Sequence, residues 1–174
     1  KESSAASDVY KRQGMGVPWF KVKKDFLAMG GQVFSSNFTF YGDMSGRVMN
    51  SLEGFVAEIE IYSIDEAFLG LDSLEEHYNL YDFGCHMRGL VRQWTGVPVR
   101  IGIAPTKTLT KIALNEIKRL NIPTKVHRIS TRQEIREALI NTPVHEVWGV
   151  GRRLTEHLNK AKITNALQLA EVDP

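Results

Sequence analysis

The chain of 174 residues contains 22 Lys and Arg against 20 Asp and Glu, which gives a formal net charge of +2. Its 43% hydrophobic and 24% charged residues are typical of a globular protein and exclude wholesale disorder, and its single cysteine, Cys85, excludes a disulfide scaffold. No apolar run approaches the roughly 18 residues of a membrane span. The sequence shows no leader, so we expect a cytoplasmic protein that does not contact a membrane.

The apolar pattern predicts alternating helices and strands followed by a helical region. In chain order it predicts a helix over 19–29, a short strand over 32–35, a helix over 38–52, strands over 57–62 and 66–71, a helix over 77–94, a strand over 98–104, a helix over 106–120, a strand over 126–129, and helices over 133–140, 152–161 and 165–171. Ile59 and Ile61 are expected to face the core, and Ser63–Asp65 to form the bend before the next strand. Because the strands end near Ser130, we place a domain boundary there.

The charges are distributed unevenly along the chain. Residues 1–47 carry 7 basic and 4 acidic side chains, residues 48–87 carry 9 acidic side chains and no Lys or Arg, and residues 88–174 carry 15 basic and 7 acidic ones. An acidic block between two basic flanks suits a metal centre beside a polyanion. Solvated surface charge is the alternative interpretation.

Asp65 and Glu66 are adjacent carboxylates beside the predicted bend. Neighbouring side chains on a straight strand point to opposite faces, whereas at a bend both carboxylates can converge on one cation. Hard oxygen ligands suit Mg²⁺, which takes one or two carboxylates besides waters and substrate phosphates, and two such ions can clamp a phosphoryl displacement. The alternative is a hairpin turn whose acidic side chains face water.

Three lysines of the predicted helix over 106–120 lie opposite its apolar face. Placed at 100° per residue, Lys107, Lys111 and Lys118 form one narrow stripe. Such a stripe could meet the phosphates of DNA or of a nucleoside triphosphate. An ordinary solvated helix face is the alternative.

A glycine-rich turn precedes the helix predicted at 152. In the sequence Gly149-Val150-Gly151-Arg152-Arg153, backbone N–H groups at a helix N-terminus and two arginines favour an anion. With a helix on each side, this is a helix-hairpin-helix pattern, which holds nucleic-acid backbone without reading bases. A simple packing corner between two helices is the alternative.

Five segments together resemble one family. They are GMGVPWFK (Gly14–Lys21), FSSNFTFYGDMSGRVM (Phe34–Met49), EIYSIDEAF (Glu60–Phe68), GIAPTKTLTKIA (Gly102–Ala113) and VWGVGRRL (Val147–Leu154). In these motifs and in their order, the chain resembles the Y-family translesion DNA polymerases, and the resemblance covers nearly everything after Gln13.

The resemblance implies an α+β, right-hand polymerase architecture with a palm made of a mixed sheet and helices on one of its faces. Residues 14–37 would be part of the fingers, 38–130 the palm, and 131–174 the start of an all-helical thumb that contains the helix-hairpin-helix. Residues 1–13 stay unassigned, because a disordered terminus and a segment foreign to the domain are both open interpretations.

The resemblance also implies a reaction, which is template-directed DNA synthesis past damaged bases, as in SOS mutagenesis, by two-metal nucleotidyl transfer. The substrates would be primer–template DNA and deoxynucleoside triphosphates, and the partners UmuD′, RecA and the sliding clamp. The implied roles are ligation of two catalytic Mg²⁺ ions by Asp65 and Glu66, triphosphate binding by Lys118, and DNA binding by Lys107, Lys111, Gly149, Val150, Gly151 and Arg152.

One part of the family pattern is missing from the sequence. The family opens with a palm strand that carries another metal-ligating Asp, and no such strand precedes Gly14. We therefore expect the parent protein to be a polymerase and this chain alone to have little or no activity.

Two other interpretations of the sequence stay open. The first is a non-catalytic DNA-binding scaffold derived from such a polymerase, which the missing Asp favours and the retention of Asp65 and Glu66 opposes. The second is a different palm enzyme such as a nucleotidyl cyclase, which would have no need for the turn at Gly149–Gly151.

Overall fold

The computed structural model of the chain describes residues 17–172, which fall into two compact units divided between Gly42 and Asp43. Residues 1–13, which the sequence leaves unassigned, lie outside this range. The α-helices are α1 (Trp19–Ala28), α2 (Phe38–Glu53), α3 (Leu80–Thr95), α4 (Lys107–Arg119), α5 (Arg132–Ile140), α6 (Arg152–Lys160) and α7 (Ala166–Ala170), and short 3₁₀ helices lie at Asp72–Leu74 and Val144–Glu146. The strands are β1 (Ile59–Ile61), β2 (Ala67–Leu69), β3 (Ile101–Ile103) and β4 (Val126–Arg128).

The first unit contains helix α1, which follows Pro18 and ends before Gly30, a glycine with φ of +78°. Residues 31–37 form no regular structure, so the short strand predicted over 32–35 is wrong. Val33 and Phe34 are both exposed, and no described strand pairs with this segment. Two consecutive apolar residues are therefore not enough to form a strand here, because this segment pairs with no described strand and its apolar side chains are exposed.

Most of the second unit's core lies around strand β3, helix α4 and strand β4. The two strands are parallel, with Ile101 opposite Val126, as a strand–helix–strand crossover requires. Helix α4 begins at its N-cap Thr106, whose side chain accepts a hydrogen bond from the Leu109 amide at 3.2 Å. Its buried side, including Ile112, packs against the strands and against helix α5.

Strands β1 and β2 form a separate antiparallel hairpin, with Ile59 opposite Leu69 and Ile61 opposite Ala67. At its open end, Leu69 packs on a cluster from helices α2 and α3. Ile61 is 56% exposed, so its predicted inward orientation is wrong: the side chain lies beyond the part of the hairpin that the core covers.

The strands of residues 17–172 form two two-stranded sheets rather than the single mixed sheet expected for a palm. None of the described strands pairs with both sheets. The α+β class is nonetheless confirmed. Between Ser130 and Val172 the regular elements are helices, as predicted, and one isolated β-bridge joins Pro143 to Asn165.

The C-terminal region is organised by helix caps. Thr131 and Glu134 form a capping box at the start of α5, and Asn165 caps α7 by accepting a hydrogen bond from the Gln168 amide. None of the helices within residues 17–172 combines the length and the apolar character that crossing a membrane would need.

Candidate nucleotidyl-transfer site

The bend between β1 and β2 is closed by its own backbone. The amides of Tyr62 and Ser63 both donate to the Glu66 carbonyl oxygen, each at 3.0 Å. The Ser63 hydroxyl donates to Asp65 Oδ1 at 2.6 Å, and the Asp65 amide donates to Ser63 Oγ at 3.3 Å. The bend predicted from the sequence is therefore confirmed, and Ser63 fixes the direction of the first carboxylate.

The second carboxylate is held from helix α4. Lys111 Nζ donates to Glu66 Oε2 at 2.8 Å, and the lysine side chain is only 16% exposed whereas the glutamate side chain is 42% exposed. The same ammonium lies over the rings of Tyr62, Phe68 and Trp148, at 4.9, 5.4 and 5.6 Å from their centroids. An ordinary solvated face therefore does not describe Lys111.

The three rings contact one another as well as the lysine. The indole N–H of Trp148 donates to the Tyr62 hydroxyl at 3.3 Å, and the centroids of Trp148 and Phe68 are 5.7 Å apart. Tyr62 and Phe68 meet edge to face at 5.8 Å. No spacing or motif in the sequence indicates that Trp148 reaches a hairpin more than 80 residues away.

The two carboxylates suit a hard divalent cation as part of a ligand set. Within residues 17–172, the second oxygen of Asp65 and of Glu66 accepts no hydrogen bond, so each side chain can offer one oxygen. The described residues contain no cluster of three or more acidic, His or Cys side chains that could hold a metal. Two carboxylate oxygens fit Mg²⁺ as part of a shell that waters complete, and substrate phosphates can replace some of those waters.

A cleft of about 930 Å³ lies between the two sheets. The carboxylates line it together with apolar side chains that include Met49, Met87 and Ile103. Strand β3 pairs only with β4 among the described strands, so its other edge has no strand partner. An extended segment in this cleft would therefore meet an unpaired strand edge, an apolar surface and the acidic pair.

The other two lysines of the stripe have different surroundings. Lys107 forms an ion pair with Glu60 of β1, and its ammonium lies 5.2 Å from the centroid of Phe68. Lys118 lies exposed in the last turn of α4 and forms no ion pair within the described residues. The structure does not test the predicted roles in DNA and nucleotide binding, which stay predictions.

The turn at Gly149–Gly151 has the features of an exposed helix start. Gly149 has φ of +92°, a left-handed conformation that favours glycine, and the Val150 amide donates to the Val147 carbonyl oxygen at 2.9 Å. Gly151 is the N-cap of α6 and provides no side-chain cap. The following Arg152 is exposed, and within residues 17–172 its side chain pairs only with Glu156, at 3.4 Å.

Comparison with known proteins places these features in a family. The sequence profile of the impB/mucB/samB family matches residues 4–115, which is more than half of the chain. The chain belongs to this family. Protein UmuC of Salmonella typhimurium strain LT2 is 45% identical over 157 residues, which are 90% of the chain and 37% of that protein. The motifs quoted above resemble those of UmuC in particular, and the comparison agrees.

More distant relatives of the impB/mucB/samB family connect the chain to DNA polymerases. DNA polymerase IV of Clostridium acetobutylicum ATCC 824 is 30% identical over 141 residues, which are 81% of the chain and 34% of that protein. A DinB family error-prone DNA polymerase from Sulfolobus solfataricus superposes with a TM-score of 0.78 at 23% identity, over 99% of the chain and 50% of that structure. The fold is thus that of Y-family polymerases, and the chain spans less than two fifths of the length of the named relatives.

Proposed function

We propose that the protein containing this chain synthesises DNA on a template past damaged bases, in the bacterial cytoplasm and as part of SOS mutagenesis. Residues 38–130 would supply its palm and residues 131–174 the start of its thumb. The observation that carries the proposal is the bend at Ser63–Glu66. It presents two carboxylates, each with one oxygen free of hydrogen bonds within the described residues, on the fold of a Y-family polymerase.

The chemistry would be nucleotidyl transfer. The primer 3′ oxygen would form a bond to the α-phosphorus of a deoxynucleoside triphosphate while the bond from that phosphorus to the oxygen bridging to the β-phosphate breaks. Pyrophosphate would leave, and the hydroxyl proton would pass to water. Mg²⁺ held by Asp65 and Glu66 would supply charge neutralisation at the attacking and leaving oxygens. The chain's own contribution is to fix both carboxylates before substrate arrives, through Ser63 for one and Lys111 for the other.

Substrate contacts would lie on two further elements. Lys118 is exposed and has no ion pair within residues 17–172, so its ammonium is available to a triphosphate. The turn at Gly149–Gly151 would act as a helix-hairpin-helix that holds the DNA backbone, because Arg152 and the start of α6 present positive charge there.

A third metal ligand would come from a strand in the cleft between the sheets. The family pattern contains a palm strand with an Asp before the segment that matches Gly14–Lys21. The cleft supports such a strand, because it combines apolar walls, the unpaired edge of β3 and the acidic pair. Reading the native gene upstream of the codon for Gly14 tests this. An apolar strand bearing an Asp is the expected result, and a native start at the Ser- and Ala-rich segment would instead favour the scaffold interpretation.

The direct test is primer extension with Mg²⁺ by the parent protein and its variants. We expect Asp65→Asn and Glu66→Gln each to lower the rate by more than about 100-fold, because removing even an outer partner of a metal ligand costs about 10- to 100-fold. The control is Glu76→Gln, which changes an exposed residue of the same acidic block that forms no ion pair within the described residues. It should leave extension unchanged.

The same assay separates the alternatives. The 174-residue chain alone is expected to extend primers little or not at all, and robust extension by it would contradict that expectation. If the parent protein and its Asp65→Asn variant both bind primer–template tightly and neither extends it, the non-catalytic scaffold is established instead of the polymerase.

A further inference from the structure

Lys111 differs from the other cations that contact the acidic block. Lys107–Glu60 and Arg128–Glu75 also join that block to the basic C-terminal half, but Lys111 has the least exposed basic side chain of the three. It is also the only one of them whose ammonium lies over three aromatic rings. A lysine enclosed in this way has lost most of its freedom to reach a phosphate.

We propose that Lys111 is a positioning residue for Glu66, held in place by Tyr62, Phe68 and Trp148. This inference rests on the proposed metal role of Glu66. The ammonium occupies Oε2 at 2.8 Å and leaves Oε1 without a hydrogen bond from the described residues. Glu66 can therefore present one oxygen in one direction. A single fixed oxygen suits Mg²⁺, which requires near-octahedral geometry and seldom accepts both oxygens of one carboxylate.

The aromatic rings explain how the ammonium stays in place without blocking the cation. Attraction to the faces of Tyr62, Phe68 and Trp148 is directional and strengthens when water is excluded. The rings thereby hold the Lys111 ammonium, while the Glu66 side chain stays 42% exposed. Trp148 immediately precedes Gly149, so the same contact fixes the turn that is proposed to hold DNA.

A positioning role and a purely electrostatic role predict opposite changes in cation affinity when Lys111 is replaced. Removing a positive charge beside a cation site should strengthen cation binding if only charge mattered. If Lys111 orients Glu66, its loss should weaken binding, because the freed carboxylate must be ordered by the cation itself. For partners that orient a metal ligand, the loss is about 10- to 100-fold in affinity.

The experiment is a titration of the full 174-residue chain with Mg²⁺ alone, followed through the backbone amide NMR shifts of Ser63–Glu66. In Lys111→Met, which keeps the aliphatic stem between the rings, we expect the affinity for Mg²⁺ to fall by about 10- to 100-fold. The matched comparison is Lys107→Met, one turn earlier on α4, whose ammonium shares Phe68 but pairs with Glu60. That variant should bind Mg²⁺ as well as the wild type, or up to about fivefold more tightly.

A second variant keeps the proposal testable if Lys111→Met does not fold, which a urea titration will show. Trp148→Leu leaves both Lys111 and Glu66 in place and removes one of the three rings. It should weaken Mg²⁺ binding in the same direction by a smaller factor.

Two results would overturn the proposal, and they differ in what else they imply. If the wild-type chain binds Mg²⁺ and a folded Lys111→Met binds it equally or more tightly, Lys111 does not position Glu66, while the proposed function stands. If the wild-type chain shows no shift of these amides with Mg²⁺, the metal role proposed for Asp65 and Glu66 in this chain fails, and the positioning role fails with it.

Discussion

The β3–α4–β4 unit and the bend of the β1–β2 hairpin both contact helix α4, but different interactions hold them there. The strands pack on the buried side of α4, where Ile112 and Ile117 are each 1% exposed. The hairpin bend meets the other side through Lys107 and Lys111, which pair with carboxylates and lie over aromatic rings. Apolar burial therefore holds β3, α4 and β4 together, while charge and ring contacts set the direction of the acidic pair.

The contrast has a consequence for stability and function. Burial of large apolar side chains contributes most of the folding free energy, whereas half-exposed ion pairs contribute little. Substitutions on the buried side of α4 should therefore destabilise the fold around β3, α4 and β4. Substitutions on its lysine side should alter the site while the fold persists.

The largest effect on stability is expected from truncating a buried isoleucine of α4. Ile112→Ala should lower the free energy of unfolding by about 2–5 kcal/mol, because it leaves a cavity between α4 and α5. Ile61→Ala, the same truncation at an exposed position of the hairpin, should cost less than about 1 kcal/mol. Urea unfolding followed by circular dichroism measures both. Equal losses of unfolding free energy in the two variants would show that the hairpin contributes as much to stability as the β3–α4–β4 core does.

The next effect concerns how closely α4 approaches β3. A Cβ at Gly102 would lie 2.5 Å from the carbonyl oxygen of Thr110, so the helix and strand can touch only because this residue has no side chain. Gly102→Ala should therefore lower the free energy of unfolding by about 1–3 kcal/mol.

The control for that substitution is another glycine in a regular element. Gly89 lies within α3, and a Cβ there would meet nothing within 4 Å. Gly89→Ala should therefore raise the free energy of unfolding by about 0.5–1 kcal/mol, as expected inside a helix. The thermal midpoints of the two variants should shift in opposite directions. Loss of stability in both would mean that the close approach at Gly102 is not the cause.

The same division of α4 explains what the sequence could predict. Periodicity predicted α4 and both parallel strands, because the formation of these elements depends on the local apolar pattern and on apolar burial. The acidic pair at a bend was also predictable, since strand alternation breaks off at Ser63. The contact of Trp148 with Tyr62 was not, because it joins residues 86 positions apart and depends on where the C-terminal helices pack.

The lysine stripe shows where periodicity alone reaches its limit. Helical spacing placed Lys107, Lys111 and Lys118 on one face, yet it could not tell that two of them pair with the hairpin and one does not. Their environments depend on tertiary contacts, which carry no period in the sequence. Ile61 shows the same limit in a strand, since alternation predicts a face but not whether anything covers it.

The smallest effect is expected at the capping box of α5, which Thr131 and Glu134 form. Glu134 accepts hydrogen bonds from the backbone amides of Thr131 and Ser130, which lower its pKa from 4.5 to about 2. Because the folded-state pKa is below the ordinary value, this stabilisation is fully present above about pH 4.5 and is lost as the pH falls towards 2. Glu134→Gln should therefore cost less than about 1 kcal/mol at pH 7, since the carboxylate is exposed to solvent. The difference in thermal midpoint from the wild type should shrink between pH 4.5 and pH 2. A difference independent of pH would mean that the shape of the side chain, and not its charge, stabilises the start of α5.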